Sequence, residues 1–259
     1  MTTLAALLFD MDGTIAETED LHRRCFNRAF AAFGLSWHWD EPTYHRLLDV
    51  PGGRERIAAY ARDIGAEIYT AVTDNPALDA LHRWKTAHMA DLLATGRSGL
   101  AARPGVARLC REAVAAGVRL ALVTTSQRPV AEQVLRQTLG PDLAAAFSVV
   151  ICGSDVRVKK PDPESYLLAL QRLGVSAGQA VAVEDSAVGL RSARAAGLAC
   201  VVTESLYTRD HDFSGAALVV SDLGEPGDWP VLVRSPSRQV CPGVVSLSQI
   251  TGLLTAITV

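Results

Sequence analysis

The chain has 259 residues, 49% of them hydrophobic and 20% charged, with 25 basic against 28 acidic side chains. That length accommodates one or two domains with a sizeable core, and a net charge of −3 excludes the basic surface of a nucleic-acid or polybasic membrane binder. No apolar run approaches the ~18 residues of a membrane span, the opening Met1-Thr2-Thr3-Leu4 lacks the basic flank of a signal peptide, and the 5 cysteines are scattered without CxxC spacing, as buried hydrophobes of a reducing compartment would be.

The first predicted strand, Leu4-Phe9, is a short apolar run that ends in Asp10-Met11-Asp12-Gly13-Thr14. An isolated Asp-x-Asp is commonly a turn or a cap. Here a buried strand precedes it and Gly-Thr follows. Two carboxylates this close repel one another, and a Mg²⁺ ion resolves the conflict because it takes oxygen ligands while leaving room for water and phosphate.

From 16 to 99 the texture is helical. Phe26, Ala29, Phe30 and Phe33 recur at i, i+3, i+4 and i+7, one face of an amphipathic helix. Further helices are expected around Glu55-Ile64 and Ala77-Leu93, the second with Asp74 as its N-cap and Pro76 close behind. Open α/β sheets bind ligands beyond the carboxyl ends of their strands, so a helical cap inserted after the first strand is placed to act as a lid.

From Gly105 onward a unit of helix, glycine and apolar run recurs: Ala115-Ala116-Gly117 before Val118-Thr124, Arg172-Leu173-Gly174 ahead of Ala180-Glu184, and Ala195-Ala196-Gly197 before Leu198-Val202. Glycine ends a helix in the left-handed region without a Cβ penalty, and apolar runs with little alternation suit parallel strands covered on both faces. The rhythm predicts an α/β fold, a Rossmann-like parallel-sheet core spanning 1–15 and 100–259, with 16–99 as its helical cap. Its last clear strand is Ala217-Val220. Beyond Leu223, Glu225-Pro226-Gly227-Asp228-Trp229-Pro230 and Ser235-Pro236-Ser237 read as a loop, followed by a strand and a short closing helix near Leu247-Leu254.

Polar residues collect after these strands. Thr124-Thr125-Ser126 precedes Pro129 at a helix start, where hydroxyls and free N–H groups either cap the helix or cradle a phosphate. Lys159-Lys160-Pro161 follows the strand Val149-Cys152, and Glu184-Asp185-Ser186 ends Ala180-Val183. Asp185 has the composition of a simple cap for the next helix. Yet two acids at the end of an apolar strand are costly without a cation nearby.

In order, Asp10-x-Asp12-Gly13-Thr14, Thr124, Lys160 and Glu184-Asp185 resemble the four motifs of the haloacid dehalogenase superfamily. The helical insertion is similar to the small cap of its CbbY/β-phosphoglucomutase-like subgroup. That narrower likeness rests on Ala16-Glu17-Thr18-Glu19-Asp20-Leu21-His22-Arg23-Arg24, on Gly52-Gly53-Arg54-Glu55-Arg56-Ile57 and on Tyr207-Thr208-Arg209. The resemblance implies a Mg²⁺-dependent phosphatase that hydrolyses a small sugar bisphosphate, of which xylulose 1,5-bisphosphate is the best match; a monomer is expected, cytosolic because the signal-peptide flank is missing. Asp10 is then the nucleophile that forms an aspartyl phosphate, Asp12 the general acid and base, and Thr124 and Lys160 the groups that neutralise the phosphoryl oxygens. Mg²⁺ falls to Asp10, Asp12 and Asp185, with Glu184 as a ligand or just behind. Substrate contacts fall to Glu17, His22, Gly52, Gly53, Arg54, Arg56, His82, Lys85, Thr125, Ser126 and Arg128, and several cap cations suit a second phosphate. A phosphosugar mutase shares every core motif. A receiver-like signalling module uses a similar residue set, but carries its acidic pair and its phospho-acceptor Asp on different strands.

Overall fold

Seven strands and ten α-helices are found among the described residues of the computed structural model, which are 3–227, 232–234 and 243–256. In chain order they are β1 (Ala6–Phe9), α1 (Glu19–Ala32), α2 (Glu41–Leu47), α3 (Gly53–Asp63), α4 (Pro76–Ala94), α5 (Val106–Ala115), β2 (Arg119–Val123), α6 (Arg128–Leu139), α7 (Pro141–Ala145), β3 (Phe147–Ile151), α8 (Glu164–Leu173), β4 (Ala180–Glu184), α9 (Ala187–Ala195), β5 (Ala199–Thr203), β6 (Leu218–Val220), β7 (Leu232–Arg234) and α10 (Leu247–Ala256). The sheet order is β3-β2-β1-β4-β5-β6-β7. Six strands run parallel, and β7 pairs antiparallel with β6 at one edge.

The alternation of side chains in β1 sends Leu7 and Phe9 to one face and Ala6 and Leu8 to the other. The first face packs with Leu122, Val183, Leu109 of α5, Val134 of α6 and Ile250 of α10. The second packs with Ala121, Ala182, Tyr166 of α8 and Leu190 of α9. Leu7, Leu8 and Phe9 are fully buried, which is why β1 carries no polar residue; each such side chain contributes about 1.5–3 kcal/mol. Register sets the site. Phe9 lies level with Leu122 of β2 and Val183 of β4, so the residues just past β1, β2 and β4 emerge side by side.

The insertion between β1 and α5 holds α1 to α4 and has its own aromatic core. Phe26 and Phe30 of α1 pack against Trp39, at centroid distances of 4.7 and 4.9 Å, and Phe26 also meets Tyr44 of α2 at 6.3 Å. Leu21 and Cys25 of α1, with Met89 and Leu93 of α4, instead join the core cluster on the sheet. The insertion is therefore seated on apolar contacts as well as polar ones.

The N-cap of α4 differs from expectation. Asn75, not Asp74, caps it: the Asn75 side chain accepts from the Leu78 N–H at 3.0 Å. Asp74 adopts φ 53°, rare for a residue other than glycine. Pro76 starts the helix, which leaves the residue before it as the cap. At the other end of the chain the expected closing helix is α10 and the expected late strand is β7. Residues 228–231 and 235–242 of the turn-rich stretch, with Cys241, lie outside the described residues. Cys25, Cys110, Cys152 and Cys200 are free and buried. No described helix is long and apolar enough to cross a membrane.

Candidate active site

Lys160 stands at the centre of the strand ends. It comes from the loop after β3, which is braced where Asp155 accepts from the Cys152 N–H at 2.8 Å and Glu164 accepts from the N–H groups of Arg157 and Val158. Its Nζ donates to Asp10 Oδ1 at 2.7 Å, Glu184 Oε1 at 2.6 Å and the Val123 carbonyl at 2.8 Å. These partners lie just beyond β1, at the end of β4 and at the end of β2. Burial would strip a proton from Lys160, but Asp10 and Glu184 outweigh it and raise its pKa, so the ammonium is retained.

Oxygens of Asp10, Glu184 and Asp185 come within 4.8 Å of one another, and all three side chains are buried. One lysine balances one of the three carboxylates. Burial raises the pKa of Asp10 and of Asp185, and mutual repulsion adds to it; Lys160 only partly offsets the rise at Asp10. Glu184 Oε2 is buried without a partner. An all-oxygen set with two uncompensated negative charges fits a hard divalent cation such as Mg²⁺. Gly13 makes the close approach possible: at φ 83°, a Cβ there would lie 2.1 Å from Asp185 Oδ2.

Asp12 has different company. Oδ1 accepts from Thr18 Oγ1 and lies 3.1 Å from His22 Nε2, while Oδ2 accepts from Ser126 Oγ at 2.8 Å and Thr124 Oγ1 at 3.5 Å. Burial works to raise its pKa, yet His22 and the hydroxyls of Thr18 and Ser126 prevail and hold it below the ordinary value. Two carboxylates two residues apart are thus pushed in opposite directions, Asp10 toward its protonated form and Asp12 toward its ionised form.

Two cavities flank Asp12. One is lined by Asp10, Lys160 and Asp185. The other is lined by Gly52, Gly53, Arg54, His82, Lys85, Ser126 and Lys159. Asp12, Glu19, Arg56 and Thr125 line both, so the two form one crevice between core and insertion. Burial, together with Lys85, Lys159 and Arg54, lowers His82 to a pKa of about 3, so its imidazole is neutral among cations.

A haloacid dehalogenase-like hydrolase family model matches residues 4–197, which takes in the insertion and Asp10, Asp12, Thr124, Lys160, Glu184 and Asp185. The chain belongs to the haloacid dehalogenase-like hydrolases. This hydrolase is 44% identical over 240 residues to CbbY of Cupriavidus necator, an alignment that covers 93% of the chain and 91% of the relative. Among solved structures, CbbY of Rhodobacter sphaeroides in complex with phosphate superposes with a TM-score of 0.78 at 43% identity, over 87% of this chain and 97% of that one. A mutant of the same CbbY in complex with xylulose-(1,5)bisphosphate gives 0.77 at 43% identity, over the same shares of both chains. With this membership and these relatives, the hydrolase is a phosphatase of α/β Rossmann-like architecture, and the receiver-like reading is set aside.

The crevice does not gather every expected contact. Arg128 is drawn to Asp155, 2.6 Å away, and to the Val150 carbonyl, and Glu17 lies 3.4 Å from Arg103; neither lines the two cavities. Arg56 is buried in the insertion, donating to Tyr44 Oη at 3.0 Å and the Leu47 carbonyl at 3.1 Å. Arg54 pairs with Asp79 at 2.6 Å. Thr124 and Ser126 direct their hydroxyls at Asp12.

Sequence reasoning also missed contributors to the hydrolase. Tyr166 of α8 donates to Glu184 Oε1 at 2.5 Å, and the Lys160 ammonium sits 5.0 Å from the centre of its ring. Arg103 donates to the carbonyls of Gly13, Thr203, Glu204 and Ser221 and so pins the Asp-x-Asp turn to the end of β5. Neither has a local signal, because each acts on partners far along the chain. Thr18 sits inside one of the subgroup phrases but was not singled out.

Proposed function

We propose that this phosphatase hydrolyses a small sugar bisphosphate with the help of Mg²⁺, through an aspartyl-phosphate intermediate, and that its substrate is of the kind seen with CbbY, xylulose 1,5-bisphosphate. The observation that carries this reading is the crevice, with an acidic, lysine-bridged cluster at one end and Arg54, Lys85 and Lys159 at the other. A molecule with a phosphate at each end matches both halves at once.

Asp10 attacks phosphorus as the bond to the sugar oxygen breaks, and Asp12 delivers a proton to that departing oxygen. Asp12 is ionised as the structure stands; the negative charge of a phosphate placed beside it raises its affinity for that proton. Asp12 then takes a proton from the water that attacks the phosphorylated Asp10, and inorganic phosphate leaves. Lys160 and Thr124 face the phosphoryl oxygens, with the free N–H groups that open α6. Asp10 and Asp185, with the Asp12 carbonyl and Glu184 adjacent, are the residues that would hold Mg²⁺. When bound, the ion supplies positive charge that keeps Asp10 ionised and polarises the phosphoryl group. The likeness to the CbbY proteins supports the substrate, and the absence of a spanning helix among the described residues accords with a cytosolic enzyme.

The test is phosphate release from a panel of sugar mono- and bisphosphates, with and without Mg²⁺. The expected result is strong preference for bisphosphates and dependence on Mg²⁺. Isomerised bisphosphate in place of released phosphate would make the enzyme a mutase.

A further inference from the structure

Lys159 is the neighbour of Lys160 in sequence but serves the opposite half of the crevice. It is carried by the core and reaches across to the insertion, where its Nζ pairs with Glu55 in the first turn of α3. Both partners remain partly accessible, at 20% for Lys159 and 29% for Glu55, so solvent screens the pair and it is readily exchanged.

Three observations mark this pair as a stand-in for a ligand. First, the helix N-terminus it covers has no side-chain cap. Gly52 is the N-cap at φ 99°, and a Cβ on it would lie 2.2 Å from Glu55 Oε2 and 2.5 Å from Lys159 Nζ. Second, Glu55 Oε2 is buried with no hydrogen-bond partner, and so is Arg54 Nε. A carboxylate with one unsatisfied oxygen loses little when it moves out to water. Third, Lys159 lines the cavity with Arg54 and Lys85, and Lys85 has no carboxylate within ion-pair distance among the described residues; it meets His22, Met89 and the Phe26 ring. A dianion entering there meets free helix N–H groups and the ammonium groups of Lys159 and Lys85, with Arg54 alongside but paired with Asp79, and it outcompetes a single carboxylate tethered to the same helix.

We propose that Lys159 is a specificity-determining residue whose ammonium exchanges Glu55 for the distal phosphate of the substrate. The inference rests on the bisphosphate reading above and adds to it a core-borne ligand that couples the second phosphate to the loop holding Lys160.

The experiment compares KM and kcat for a sugar bisphosphate and its monophosphate in wild type, Lys159→Met, Lys159→Arg and Glu55→Gln. Lys159→Met should raise the bisphosphate KM tenfold or more, by a factor well above that for the monophosphate, and Lys159→Arg should recover most of the loss. Glu55→Gln should lower the bisphosphate KM, because it removes the competitor. If Glu55→Gln instead raises KM in parallel with Lys159→Met, the pair is a latch between core and insertion and the inference fails. A wild type that prefers bisphosphates, with a Lys159→Met variant that keeps the preference, overturns this inference alone. A wild type indifferent to the second phosphate overturns the bisphosphate reading as well.

Discussion

Lys85 donates to His22 Nδ1 across 2.5 Å, which leaves the Nε2–H of that ring to face Asp12. A buried ammonium is thereby linked to the acid–base carboxylate through one imidazole. Burial lowers Lys85 to a pKa of about 8, although Cys25 and Asp12 act in the other direction. Between about 8 and the ordinary 10.5 the unfolded chain binds a proton that the folded chain does not. Stability therefore rises with pH across that window, and the full cost of charging Lys85 is felt below it. Lys85→Met should accordingly raise the melting temperature at pH 7, by an amount equivalent to about 1–3 kcal/mol after the lost bond to His22 is deducted. The advantage should narrow above pH 8. In wild type, KM for a bisphosphate should climb as pH passes about 8, where the folded protein loses this cation.

Chelation should abolish turnover, and Mg²⁺ should restore it. A readout independent of activity is thermal denaturation: saturating Mg²⁺ should stabilise wild type by roughly 2–3 kcal/mol at about a hundredfold excess over Kd. Asp185→Asn removes one of the repelling carboxylates. It should melt higher than wild type in chelator and show no response to Mg²⁺.

Asp10→Asn should cut phosphate release by more than about a thousandfold, since an amide cannot form the acyl phosphate. The variant should still bind a bisphosphate, which calorimetry would detect. Surviving turnover would remove Asp10 as the nucleophile.

Gly13→Ala would force a methyl group against Asp185 and into a left-handed conformation. A loss of about 1–3 kcal/mol in stability is expected, with at least a hundredfold loss in kcat from the displaced carboxylate. Chemical denaturation and steady-state kinetics measure the two effects separately.

Tyr166→Phe keeps the ring beneath Lys160 and deletes the hydroxyl that fixes Glu184. Loss of a hydrogen bond to a charged group, worth about 1.5–3 kcal/mol, should lower kcat about tenfold and leave KM for the sugar phosphate nearly unchanged. A Tyr166→Leu variant should do worse, because the ring is lost too.

The amino-acid order alone determined the layered α/β architecture and the helical insertion, and it set Asp10, Asp12, Thr124 and Asp185 just past apolar strands, because each of these signals is local: an apolar strand, then the polar residue that must emerge at its end; Lys160 comes later, in the loop after β3. Parallel register makes those ends level, so order along the chain becomes adjacency in space. Which cations are left without a partner to meet a ligand was decided only by the tertiary structure. Arg54, Arg56 and Arg128 look alike as basic residues, yet Asp79, Tyr44 and Asp155 take their guanidinium groups, and those partners lie 12 to 27 residues away. Lys159, inconspicuous beside Lys160, reaches Glu55 across 104 positions. Even the start of α4 turned on which of two adjacent residues had the backbone angles to cap it. Electrostatic partnership depends on distance in space and on desolvation, and neither is written in the neighbourhood of a residue along the chain.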